Sequence, residues 1–292
     1  MSDARRPRGR ERSSTQVSSR KQHVPWRAAG TASEAQASAD DVVRETGWVF
    51  NNVTGDEANL AEFVSSGDHE VGAFIKAFGL PTGIRSSIVE IGSGIGRMTV
   101  AFTREYGRVV ACDLDAAFLE RCRETVAQFG FPARLRTVHV ADGHTLDLPD
   151  ASSDVVFSYI TLQHCADDDA IGLSHEAVRV AKPGGTIALN YRTWVDADAI
   201  LWPAGKVVRA LWKVPGVGKL LSRWRWSTRV GWQANRLTPQ PVLGAIGARL
   251  TDIRLVRSPK RRPFRIAGTT DDTFEGVNPS HWWLIARVNP AG

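Results

Sequence analysis

Three alternate glycines in Val89-Glu90-Ile91-Gly92-Ser93-Gly94-Ile95-Gly96-Arg97 are the residues most open to a chemical reading. Glycine lets the backbone turn sharply and approach a ligand where a Cβ would collide. A helix opening beside Gly96 would aim unpaired N–H groups at that ligand. A purely structural turn could use the same residues, so the run alone decides nothing. Asp113 follows Gly92 by 21 residues. A carboxylate there can accept hydrogen bonds from both ribose hydroxyls of an adenosine-containing cofactor. The competing role, capping the next helix, better fits Asp115. Asp142-Gly143 offers a second acid, able to accept from an adenine amino group, beside a glycine on which a flat ring can lie. A plain turn would also use Asp142. Asp154–His164 runs to an imidazole that can take a proton near neutral pH. Pro183-Gly184-Gly185 reads as a tight turn, with Pro setting φ at its first position and Gly permitting positive φ at the next.

Each of these residues sits between periodic segments. Apolar runs at Ser87–Ile91, Val109–Cys112, Thr137–Val140, Val155–Tyr159 and Thr186–Asn190 read as buried parallel strands. Helical patterns lie near Arg97–Tyr106, Ala116–Phe129 and Asp168–Ala181. Upstream, two short helical patterns around Asp56–Val64 and His69–Phe78 stop at Gly79 and Pro81. Strand–helix alternation predicts an α/β fold with helices on both faces of a parallel sheet. Thr238-Pro239 then predicts an N-cap and a helix reaching about Arg249, followed by strands at Ile253–Val256 and Trp282–Val288.

Composition narrows the function classes. The chain has 292 residues, 42% hydrophobic and 23% charged, and no run of the ~18 apolar residues that a bilayer span requires. Residues 1–39 are poor in large apolar side chains and read as a disordered basic tail without a secretory signal. Seven basic and two acidic residues lie in 1–23, leaving 30 basic and 29 acidic in 24–292. The net charge of +6 therefore sits on the tail and does not by itself imply nucleic acid. Cys112, Cys122 and Cys165 form no zinc-ligand spacing, so no metal is expected, and an odd thiol count suits a reducing cytoplasm.

Taken together, these motifs resemble the class I S-adenosylmethionine-dependent methyltransferases, most closely their small-molecule, type 11 branch. ExGxGxG, a strand-two acid, an acid-Gly pair after strand three and a Pro-Gly-Gly turn before strand five occur in that order over about residues 60–192. The resemblance implies a Rossmann-like, seven-stranded, mostly parallel sheet with an antiparallel last strand, forming one methyltransferase domain over 40–292. It implies S-adenosyl-L-methionine bound by Glu90, Gly92, Ser93, Gly94, Gly96, Asp113, Leu114, Asp142, Gly143 and Ser158. A nicotinamide dehydrogenase is the nearest rival. It would lack the final glycine of GxGxxG and leave Asp142-Gly143 and the Pro-Gly-Gly turn without roles. A catalytically inactive binding module is a rival of another class, although every cofactor position is chemically intact.

The acceptor is less legible. In-line alignment and exclusion of water do most of the work of methyl transfer. A hydroxyl acceptor also needs a base, for which His164 is the candidate; the alternative is a histidine that shapes the loop or touches cofactor. Residues 194–236 hold six of the ten tryptophans among Lys and Arg. On a helix, Lys206, Arg209 and Lys213 would share one face and Val207, Leu211 and Val214 another. Such an insert is expected to close as a lid over a small-molecule or lipid-like acceptor, methylated more readily at oxygen than at carbon or nitrogen. Contact of 204–226 with a membrane surface is a second reading, and RNA a weaker third. Oligomeric state is not legible.

Overall fold

The structure, a computed structural model, describes residues 60–212, 214, 216–221, 230 and 235–290. The tail at 1–39 and much of the tryptophan-rich part of the insert lie outside the described residues. Eight strands form one sheet in the order β3-β2-β1-β4-β5-β8-β6-β7. They are β1 Gly83–Ile91, β2 Tyr106–Asp113, β3 Leu135–His139, β4 Ser153–Ser158, β5 Ala181–Arg192, β6 Leu250–Arg257, β7 Thr270–Thr273 and β8 His281–Val288. Strands β1 to β5 pair in parallel, β8 runs antiparallel between β5 and β6, and β7 pairs parallel with β6.

Helices cover both faces, which is why β1, β4 and β5 are continuous apolar runs rather than alternating ones. On one face, α1 (Leu60–Phe78) and α2 (Thr99–Glu105) bury Phe74, Phe78 and Phe102 against Ile88, Phe157 and Trp283. α3 (Ala116–Phe129) packs Cys122 and Val126 on the same side, with Val64 and Val100. On the other face, α4 (Asp167–Val180) and α7 (Pro239–Ile246) pack Leu173, Ala177 and Val242 against Val156, Ile187, Leu189 and Trp282. Burying each such Leu, Ile or Val is worth about 1.5–3 kcal/mol, and these contacts fix the strand ends that carry the site. Between β5 and α7 lie α5 (Asp198–Trp212) and α6 (Val217–Leu221).

The expected architecture is present with three differences. The sheet has eight strands rather than seven. The extra one, Thr-Asp-Asp-Thr at the sheet edge, has no buried residue and hence no apolar pattern to announce it. The two upstream helical patterns are one helix that runs through Ser65-Ser66-Gly67. Gly67 lies against the backbone of Arg97, whose carbonyl oxygen would be 2.2 Å from a Cβ there, so these small residues allow close packing and do not break the helix. Thr238 occupies the N-cap of α7 but its side chain makes no capping hydrogen bond. The Pro-Gly-Gly turn is as expected, with Gly184 at φ +74°. It bulges out of β5 between the pairings Ser153↔Ala181 and Val155↔Thr186. Among the described residues, no helix is long and apolar enough to cross a membrane.

Candidate cofactor and acceptor site

The glycine run forms the turn between β1 and α2, with Gly92, Gly94 and Gly96 all at positive φ. Strand β2 holds this turn from the side. Gly92 and Ser93 donate their amides to the Cys112 carbonyl at 2.7 and 3.1 Å. Gly94 donates its amide to Oδ2 of Asp113 at 2.8 Å. From beneath, Glu90 accepts the Thr99 hydroxyl at 2.6 Å. From above, α1 covers the turn, and Arg97 pairs with Glu70 at 2.9 Å. Gly96 lies close to Cys122, where a Cβ would be 3.1 Å from the sulfur. Val100 donates to the Gly96 carbonyl at 3.1 Å, so the helical ladder does start from that glycine.

Of the two neighbouring acids, Asp115 takes the capping role that the sequence suggested. Asp115 caps α3, accepting from the amides of Ala117 and Phe118 at 2.8 and 3.2 Å. Asp113 faces the glycine turn, its Oδ1 accepting the Asp115 amide at 2.9 Å. Burial pushes the Asp113 carboxyl up to about 6, against the backbone hydrogen bonds that favour its charged form. Glu90 is pushed up to about 8, again by burial, with the Thr99 hydrogen bond opposing.

Asp142 lies past β3 and folds its own turn, Oδ1 accepting the amides of His144 and Thr145 at 3.0 and 2.8 Å. Partial burial raises its carboxyl. Bonds from Thr145 and His144 outweigh this and hold it down at about 2. Gly143, at φ +84°, has Leu114 as its neighbour, with the leucine Cδ1 3.7 Å from where a Cβ would be. Leu114 and Asp142-Gly143 thus border one slot beyond the ends of β2 and β3. Ser158 is fully buried and donates its hydroxyl to the Ile91 carbonyl at 3.0 Å, tying β4 to β1 just before the turn.

Two features at the glycine turn fit S-adenosylmethionine. Asp113 presents a carboxylate beside it. The buried Ser93 hydroxyl has no partner other than the weakly accepting Cys122 thiol. Ser93 and Asp113 would hold the amino acid and ribose parts, and Leu114 with Asp142-Gly143 the adenine.

Beyond β4, Ile160 adopts φ +53°, a strained conformation for a β-branched residue. Its amide donates to Asn190 of β5 at 3.4 Å. The kink sets Thr161 directly on Gly92, where a Cβ would be 2.0 Å from the threonine hydroxyl oxygen. His164 closes a short 3₁₀ turn, Leu162–His164, with its Nε2 3.2 Å from the Gln163 amide nitrogen. It is half-buried on the loop that faces the glycine turn. Asn235 straps this loop, donating to the carbonyls of Leu162 (2.5 Å) and Cys165 (2.9 Å).

A second cluster at the end of β5 was not legible beforehand. Asp198 is fully buried, and its Oδ1 accepts from Arg192 at 3.1 Å and Arg236 at 2.9 Å. His281 stands opposite Arg192 in the β5–β8 register. Burial, reinforced by the two guanidinium charges, lowers its imidazole to about 3. The only sequence signal for the cluster was three charged residues beside strongly apolar neighbours. All three cysteines are free and buried, and burial raises Cys122 and Cys165 to about 12, as core thiols require.

An open sheet with a glycine turn after β1 and an acid closing β2 defines the class of nucleotide-binding α/β domains. Within it, residues 89–189 match the family described as a methyltransferase domain. The matched segment, about a third of the chain, is thus similar to methyltransferase domains. The chain is 34% identical over 110 residues to the carboxy-S-adenosyl-L-methionine synthase of Pseudomonas fluorescens, covering 36% of this chain and 44% of that protein. An uncharacterised protein of Mycobacterium bovis is 28% identical over 135 residues, covering 46% of each. The chain thus spans just under half the length of these curated relatives. Among solved structures, one described as a possible exported protein from Bordetella parapertussis aligns at TM-score 0.51 and 16% identity, over 87% of this chain and 80% of that one. That likeness concerns the fold.

Proposed function

We propose that this protein is an enzyme that transfers a methyl group from S-adenosylmethionine to a small-molecule or lipid-like acceptor, at an oxygen atom. The observation that carries this reading is the joining of the glycine turn to Asp113, with the Ser93 hydroxyl beside it. The curated relative from Pseudomonas fluorescens is by name a carboxy-S-adenosyl-L-methionine synthase, which supports the cofactor and leaves the acceptor open.

Bound in the turn, S-adenosylmethionine would supply a methyl group already activated on a sulfonium. The chain's own residues then have three tasks. Asp113 and Ser93 orient the cofactor. The kinked Ile160–His164 loop and Asn190 border the acceptor side, beyond the ends of β4 and β5. His164 takes the acceptor's hydroxyl proton as its oxygen attacks, which general-base catalysis rewards by about 10²–10⁴-fold. Three buried free thiols support a reducing cytoplasm as the compartment.

The test pairs binding with turnover. S-adenosylhomocysteine should raise the melting temperature while NAD does not, by about 2.7 kcal/mol of added stability at a hundredfold excess over its Kd. Labelled S-adenosylmethionine with a bacterial metabolite extract should then yield S-adenosylhomocysteine and a labelled product, identified by mass spectrometry. Binding without turnover in any extract would favour an inactive binding module.

A further inference from the structure

The outward face of α5 is apolar. Ile200, Pro203, Val207 and Leu211 recur at spacings of three and four, on one side of the helix, and all are exposed. Ile200 is 75% exposed, Val207 59% and Leu211 39%. About a quarter turn round the helix from Val207, Val208 is buried against Leu221 of α6, so this pair of helices has an inner face of its own. Val214, Val217 and Leu220 continue the exposed aliphatic series through α6. Isolated apolar residues on a surface need no explanation, but a row of seven within 21 positions marks an interaction site.

Charge decides what kind of partner fits. From Ala199 to Val230 the chain carries seven Lys or Arg and no Asp or Glu. Lys206 is exposed on α5 beside Val207. The same region is tryptophan-rich, and Trp194, exposed at its entrance, is a residue type favoured at lipid–water boundaries. A nucleic-acid surface would expose cations and stacking rings, whereas the exposed face of α5 is aliphatic. We propose that this face of α5 and α6 docks on an anionic lipid bilayer, its aliphatic side chains entering the boundary between headgroups and acyl chains. α5 is anchored by Asp198 to Arg192, so docking holds the end of β5 near the membrane. The docking itself does not depend on methyl transfer.

Flotation of the full-length protein with phosphatidylglycerol or phosphatidylcholine vesicles tests this. The protein should rise with the anionic vesicles and stay behind with the neutral ones. Lys206→Ala should weaken binding about fivefold, the worth of one basic residue near an anionic surface. Val207→Glu with Leu211→Glu should abolish flotation while leaving the melting temperature unchanged. If that pair unfolds the protein, Ile200→Ser, at the most exposed position, should reduce flotation instead. Failure to float with phosphatidylglycerol overturns the proposal, as does equal binding to both lipids or undiminished binding in folded variants. A face already covered by residues 40–59, which carry five Asp or Glu, would show itself as failure to float. Tighter binding to a single-stranded RNA oligomer, lost in the same variants, would also overturn it. Flotation without a thermal shift by S-adenosylhomocysteine would leave docking standing and sink the methyltransferase reading.

Discussion

The amide of Gly94 and the carboxylate of Asp113 are 2.8 Å apart, so the glycine turn and the acid that closes β2 are one unit. Each carboxylate oxygen can accept more than one hydrogen bond, so Asp113 can hold the turn and still receive ribose hydroxyls. Asp113→Ala should weaken S-adenosylhomocysteine binding by about 1.5–3 kcal/mol per lost charged hydrogen bond, in a protein that stays folded. Unchanged affinity by calorimetry would place the ribose partner elsewhere.

The same carboxyl gives a pH dependence with a definite sign. Its value in the folded protein, about 6, lies above the ordinary 3.8, so burial favours the protonated form. The apo protein's stability should therefore gain from this group as pH falls from 6 toward 4. Ribose binding needs the carboxylate, so S-adenosylhomocysteine affinity should fall over the same interval, by about tenfold per unit. Titration calorimetry across this range checks the opposition between the two trends.

Glu90 behaves differently because no solvent path serves it. With its carboxyl at about 8 rather than 4.5, it stays largely protonated at pH 7, and its stability contribution declines as pH rises from 4.5 through 8. Glu90→Gln should remove that slope while keeping a partner for Thr99. Glu90→Ala orphans the Thr99 hydroxyl and should cost about 1–3 kcal/mol. Melting curves at pH 6 and pH 9 separate the two variants.

How much of this was legible in the sequence follows from where the signal resides. The glycine turn, Asp113, Asp142-Gly143 and the Pro-Gly-Gly turn need particular residue types at local spacings, so they could be read directly. Asp115 as the cap of α3 was legible for the same reason. Strand β7 was not, because an exposed edge strand of Thr and Asp has no apolar alternation. Nor was the unbroken α1, whose Gly67 answers to a carbonyl 30 residues away in sequence, at Arg97. The strain at Ile160 is a property of φ alone and leaves no trace in residue type. Val207 and Leu211 were correctly placed on one face. Only the packing of Val208 on Leu221 shows that this face is turned outward.

Asp198 is the shared anchor of the chain that leaves β5 and the chain that returns at Arg236. Removing one member of a buried ionic cluster leaves its partners charged and unpaired, at a cost of about 3–5 kcal/mol. Asp198→Ala should show this loss in thermal unfolding and should expose 199–221 to limited proteolysis. A variant as stable and as protease-resistant as the wild type would remove the anchor from the account.

His164 is separable from all of these. His164→Gln should lower kcat for a hydroxyl acceptor at least about a hundredfold while S-adenosylhomocysteine affinity holds. If both fall together, the histidine contacts the cofactor and is not the base.

The antiparallel strand β8 lies in the middle of the sheet, yet the ribosome makes it after every other described strand. Until residues 281–288 emerge, β5 has an open edge along Ala188, Leu189 and Asn190, and β6 has no sheet to join. Such an edge is a template for pairing with other chains. Trp282 and Trp283, which fill opposite faces of the core, arrive only then. The nascent chain therefore passes through an interval in which most of its strands exist and its centre is unsealed. That interval is when chaperone protection matters most. A truncation before His281 would yield aggregate rather than a smaller folded protein, whereas removal of β7, at the rim, would leave assembly intact.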